Sequence, residues 1–194
     1  MTTRDQIIQT TCSLIERQGY HATGLNEIVK ESGAPKGSLY YYFPAGKEEI
    51  TAEAITWAGQ MVACRVRENL EASDDPVEAI RSFVENIAFH VERSGFCAGG
   101  PLQTVALETA TTSERLNLAC REAYSRLQEA FKEKLLAGGF PDPQAGSLAT
   151  IITASVEGGI LLSRTYHSGD PLRQVAGQLN ILLSASRPAT QNQA

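Results

Sequence analysis

Apolar residues recur at three- and four-residue steps along almost the whole chain, and no stretch shows the apolar–polar alternation of a strand. Residues 3–18 set Ile7, Ile8, Cys12, Leu14 and Ile15 on one stripe, and Gly19 follows as a helix-ending glycine. A short second helix, LNEIVKES, turns Leu25, Ile28 and Val29 inward, with Thr23 or Gly24 as its cap. Gly33 and Pro35 break the chain before a third helix from about Lys36 to Tyr42. After Phe43-Pro44-Ala45-Gly46 comes a long helix, 47–70, with Ile50, Ala54, Trp57, Met61 and Cys64 in register. Asp74-Asp75-Pro76 supplies a cap and a first-turn proline for a helix through about Glu92. LQTVALET forms a shorter helix, and Thr112 or Ser113 starts one that Gly138-Gly139 stops after about Leu136. Two more, near 143–166 and 171–186, flank His167-Ser168-Gly169-Asp170. The pattern predicts an all-α chain of about nine helices.

Helix, glycine-bearing turn, helix at about 24–43 is the pattern of a helix-turn-helix, whose second helix enters the major groove. Lys36, Gly37 and Ser38 open that second helix, where free N–H groups and the helix dipole suit phosphate oxygens. Lysine also reaches guanine O6 or N7, and serine pairs with several base edges. Tyr40, Tyr41 and Tyr42 are three neighbours that a single core cannot absorb, because adjacent helical residues face different ways. They cover the groove side and the flanks of a two-turn helix, with part of Tyr40 or Tyr42 expected to pack inward.

Charge sharpens this picture. The chain carries net charge −5, yet residues 1–47 hold five Lys/Arg against four acids. An acidic protein with a small, locally basic segment is no general nucleic-acid coat, but it leaves room for one focused reading face. Four cysteines and three histidines lie too far apart for a metal spacing, so no metal or cofactor is expected. No nucleophile elbow, P-loop or zincin motif occurs, and no catalytic residue is assigned; an enzyme is not expected. No apolar run reads as a membrane span and no leader pattern opens the chain, which predicts a cytoplasmic protein with no membrane partner.

The stretch GYHATGLNEIVKESGAPKGSLYYYF resembles the DNA-binding domain of the TetR family of bacterial repressors, from about residue 4 to residue 50. GY-x-AT, EIV, SG, K-G-S-LYYYF and K-E fall in the family's order. The resemblance implies DNA contacts from Thr23 or nearby Leu25, and from Lys36, Gly37, Tyr40, Tyr41 and Tyr42. It also implies a phosphate contact from Lys47. Many members carry histidine where this chain has Tyr42. The longer YFPAGKEEI bridge, and GFCAGGPLQTVALET with its Ala98-Gly99 insertion, are similar to the LmrA/YxaF-like branch. Repressors of that branch leave DNA on binding planar aromatic compounds such as flavonoids.

On this reading residues 1–47 are the DNA-binding domain, 48–187 a ligand-binding and dimerisation domain, and 188–194 a flexible tail. Ligand contacts are sought among Trp57, Met61, Phe83, Ile87, His90, Phe96, Tyr124, Leu127, Phe131 and Glu157, each equally at home in an ordinary core. A homodimer interface is sought on the last two helices. One stripe there carries Leu148, Ile151, Ile152, Ser155, Gly159 and Leu162; the other carries Leu172, Val175, Leu179, Leu182 and Leu183. The expected function is a repressor that binds an inverted-repeat operator in double-stranded DNA as a dimer and is released by a small-molecule inducer. The alternative is a helical adaptor that keeps the helix-turn-helix only as a fold element.

Overall fold

The computed structural model describes residues 1–187; the predicted tail at 188–194 lies outside the described residues. Among these, nine helices and no strand occur: α1 (Thr3–Gln18), α2 (Leu25–Ser32), α3 (Lys36–Tyr42), α4 (Lys47–Leu70), α5 (Pro76–Arg93), α6 (Pro101–Thr109), α7 (Glu114–Ala137), α8 (Asp142–Tyr166) and α9 (Asp170–Ala185). Their ends follow the local chemistry. Thr2 and Asp5 form a reciprocal capping box at the start of α1. Gly33 leaves α2 at φ 66, in the left-handed region. Asp75 Oδ1 accepts from the Val77 N–H, with Pro76 in the first turn of α5.

The chain forms two compact units. The first comprises residues 1–62 and 98–126, that is α1 to α3, most of α4, α6 and the first half of α7. Its core joins Ile7, Leu14 and Ile15 of α1 to Ile28, Leu39, Phe43, Ile50 and Ile55, and takes in Leu102, Val105 and Leu116 from α6 and α7. Gly59 lets α4 and α7 approach closely, since a Cβ there would stand 2.6 Å from the Ala123 Cβ.

The second unit comprises residues 63–97 and those from 127 onward. Here α9 packs on α5 and α8, and Phe83 meets Phe131 edge-on at 5.5 Å between ring centres. Contrary to the expectation from sequence, α8 is long and apolar enough to cross a bilayer by length and composition, with a mean hydropathy of 1.5. Its run of apolar residues has a packing cause: Ala145, Leu148, Ala149, Ile152, Val156 and Ile160 are buried in the protein's own core. The Gly158-Gly159 pair does not interrupt the helix. Gly159 lies against Leu172 and Val175 of α9, where a Cβ would come within 2.8 Å of Leu172 Cδ2.

Candidate nucleic-acid interface

The seven residues of α3 divide by face. Leu39 is fully buried and Phe43, which ends the helix, is 1% exposed, so these two fix α3 to the core. Between and around them Lys36, Gly37, Tyr40, Tyr41 and Tyr42 are exposed, and Ser38 is half-buried. Tyr41 is 79% exposed, Tyr40 48% and Tyr42 38%, so Tyr41 stands outward while Tyr40 and Tyr42 are each partly covered, which fits the expectation that part of one of them packs inward. Tyr41 and Tyr42 meet edge to face at 5.1 Å, which keeps two phenol rings together on the outer side. A Cβ at Gly37 would meet nothing within 4 Å, and its φ is not positive. Glycine inside a helix costs about 1 kcal/mol relative to alanine. The protein's own packing gives no reason for it.

Three expected contacts are placed differently. Thr23 is buried, and its hydroxyl donates to the Gly19 carbonyl at 2.7 Å, so the side chain closes the α1–α2 turn and is not presented outward. Gly24, not Thr23, caps α2. Leu25 is half-buried and packs against the core. Lys47 is drawn inward: its Nζ lies 4.4 Å from the Tyr20 ring centre and donates to the His21 carbonyl at 3.3 Å. Burial holds its pKa below the ordinary lysine value, opposed by the attraction of Glu108. Sequence reasoning passed over Arg4, which stacks over Phe43 at 5.6 Å and pairs with Glu53 at 2.9 Å, bracing the end of α3 against α1 and α4.

A basic, aromatic, protruding two-turn helix anchored by Leu39 and Phe43 is the geometry of a recognition helix. Comparison with known proteins agrees. The family model described as bacterial regulatory proteins, tetR family, matches residues 7–54. The model for the C-terminal domain of LmrA/YxaF-like transcriptional regulators matches residues 76–178. Over 180 residues, 93% of this chain and 94% of the relative, the chain is 43% identical to the HTH-type transcriptional regulator YxaF of Bacillus subtilis. This chain belongs to the TetR family.

A second relative, the HTH-type transcriptional regulator LmrA of Bacillus subtilis, is 38% identical over 93% of this chain and 96% of its own length. The fold is shared with a TetR transcriptional regulator from Legionella pneumophila (TM-score 0.80, 22% identity, covering 94% of this chain and 97% of that one). It is shared as well with reduced NemR of Escherichia coli (TM-score 0.81, 21% identity, covering 92% and 96%). As a TetR-family member the chain is a DNA-binding transcriptional regulator and not an enzyme.

The remaining expected residues fare unevenly. Within the ligand set, Trp57, Met61 and Tyr124 belong to the first unit and the other seven to the second, so neither unit gathers the set. Phe83, Leu127 and Phe131 are buried as core, Ile87 and Glu157 are half-buried, and Met61 and His90 are exposed. Phe96 stacks on His167 at 5.3 Å. Of the dimer stripe, Leu148, Ile152, Gly159, Leu172, Leu179 and Leu183 are buried within their own protomer, which corrects their placement on an outer face. Ile151, Ser155, Leu162, Val175 and Leu182 do line an open apolar groove between α8 and α9, with Leu179 at its floor and with Pro171, Gln174 and Gln178. Leu161 and Ile181, exposed on the same two helices, were missed.

Proposed function

We propose that this TetR-family regulator is a cytoplasmic repressor that binds an inverted-repeat operator as a homodimer and leaves it when a small planar aromatic molecule binds. The observation that carries the DNA-reading part is the outward face of α3, where Lys36 and three exposed tyrosines surround a glycine the fold does not need. The dimer reading is supported by the outer face of α8 and α9. From Pro143 to Val156, and again from Gln174 to Ser186, no charged residue occurs, while Ile151, Leu161, Leu162, Ile181 and Leu182 stand exposed. A twofold interface sets each residue near its own copy, so a neutral apolar face avoids like-charge repulsion. Two such copies present two α3 helices to successive major grooves. The inducer class is supported by the likeness to the LmrA/YxaF-like branch, and it can act only if it binds the DNA-free state more tightly.

The test is selection of 30-bp duplexes from a random library on the protein, followed by footprinting and anisotropy over a range of salt. The reading expects a symmetric footprint, an affinity that falls linearly with salt on logarithmic axes, and release by members of a flavonoid panel. Recovery of no sequence motif, or of an asymmetric single site bound by a monomer, would overturn it in favour of the adaptor.

A further inference from the structure

The peptide of His21, in the turn between α1 and α2, is held from both sides. Its N–H donates to Glu108 Oε2 at 2.8 Å, and its carbonyl accepts from Lys47 Nζ at 3.3 Å. Glu108 stands on α6, 87 positions further along the chain. Gly19 leaves room for it: with φ 88 and no Cβ, this residue lies directly beneath the Glu108 carboxylate, which occupies the space a side chain would need. A reciprocal contact runs the other way. Glu16 of α1 accepts from the Gly99 and Gly100 N–H groups at 3.0 and 2.7 Å, just where α6 begins. Between these two fastenings Leu102 and Val105 of α6 share a core with Ile7, Ile8 and Ile15 of α1. One helix outside the reading head is therefore bolted along α1 at both ends, and one of its bolts grips the turn from which α2 and then α3 start.

We propose that Glu108 is a positioning residue for DNA reading: it fixes the α1–α2 turn, and with it the angle at which α3 enters the groove, from outside the DNA-facing surface. A recognition constellation must be held within roughly 0.5 Å and 10–20° to work. A carboxylate on a backbone amide is among the stronger single restraints available. The proposal rests on the family's DNA binding and is independent of the dimer and inducer readings.

The sign of the effect separates positioning from charge. Removing an acid near a DNA-binding face should, by electrostatics alone, tighten binding. Glu108→Ala and Glu108→Gln remove the same charge, but glutamine keeps a carbonyl oxygen to accept from His21. Both variants, and wild type, are to be titrated by anisotropy against the duplex selected on wild-type protein, with folding checked by circular dichroism. Positioning expects Glu108→Ala to bind up to roughly tenfold more weakly than Glu108→Gln, the upper end of what one neutral hydrogen bond contributes, with the salt slope unchanged because no phosphate contact is lost. Glu108→Gln should match wild type or exceed it. Equal affinities of the two variants would overturn the proposal.

Hydrogen exchange of the wild-type protein provides a check that needs no variant. The His21 amide should be protected, and exchange at the rate of an open amide would equally sink the idea. Failure of wild type to select any duplex would overturn the operator reading and this role with it, whereas open exchange at His21 would sink this proposal and leave the operator reading standing.

Discussion

Gly158 and Gly159 are neighbours on α8 that should respond oppositely to the same substitution. Alanine in a helix interior is favoured over glycine by about 1 kcal/mol, and this gain is common to both positions. At Gly158 a Cβ meets nothing within 4 Å, so the gain should appear undiminished. At Gly159 the Cβ would stand 2.8 Å from Leu172 Cδ2 and 3.4 Å from both Leu172 Cγ and Val175 Cγ2. Leu172 is fully buried, so it has little room to retreat. Overpacking of this kind costs about 1–3 kcal/mol. Comparing the two variants cancels the helix-propensity and unfolded-chain effects, leaving Gly158→Ala more stable than Gly159→Ala by about 1–3 kcal/mol. Urea unfolding followed by circular dichroism measures this, run at two protein concentrations so that association is read separately. If a second copy packs on this face, the benefit at Gly158 should shrink as concentration rises. Equal midpoints at low concentration would refute the claim that α8 and α9 touch at Gly159.

Leu39→Ala should cost about 2–5 kcal/mol of stability as a core truncation, while Tyr41→Ala should leave stability within about 0.5 kcal/mol and weaken DNA binding; urea midpoints and anisotropy together check the pair. Burial pushes the Cys12 thiol up to about 12, with Glu16 adding to it, and the Cys120 thiol up to about 11. At pH 8 a thiol reagent should therefore modify exposed Cys64 and Cys97 quickly, and the other two only on addition of denaturant. The hydrogen bond from Arg187, then the Val77 N–H, holds the Asp75 carboxyl below its ordinary value of 3.8. Its contribution is complete above that value and is lost as pH falls through the lower folded one. Asp75→Ala should thus cost about 1 kcal/mol near neutrality, a gap that narrows in urea melts below pH 3.8.

The helices were legible because their ends carry local signals: Gly19, Gly33, Pro76 and Gly138-Gly139 act within one turn of where they stand. The recognition helix was legible for the same reason, since three adjacent tyrosines cannot share one buried side. Thr23 misled because a threonine before a helix offers two local bonds, and here it closes the turn behind it while Gly24 takes the cap. The stripes on α8 and α9 misled for a different reason. A helix apolar on several faces has no single moment, so periodicity finds the stripe facing its own core as readily as the outer one. Large aromatic residues at Phe83 and Phe131 look the same in sequence whether they line a cavity or fill a core. Contacts such as Glu108 to His21, between residues 87 apart, leave no local trace at all.

That long-range stapling bears on how such regulators are recombined. A chimera joined at residue 47, in the loop-and-helix boundary that a sequence reader would choose, would part Glu16 from Gly99 and Gly100, and His21 from Glu108. Transplanting operator choice onto a foreign body would carry these seams along, so residues 98–126 should travel with the reading head as a second graft.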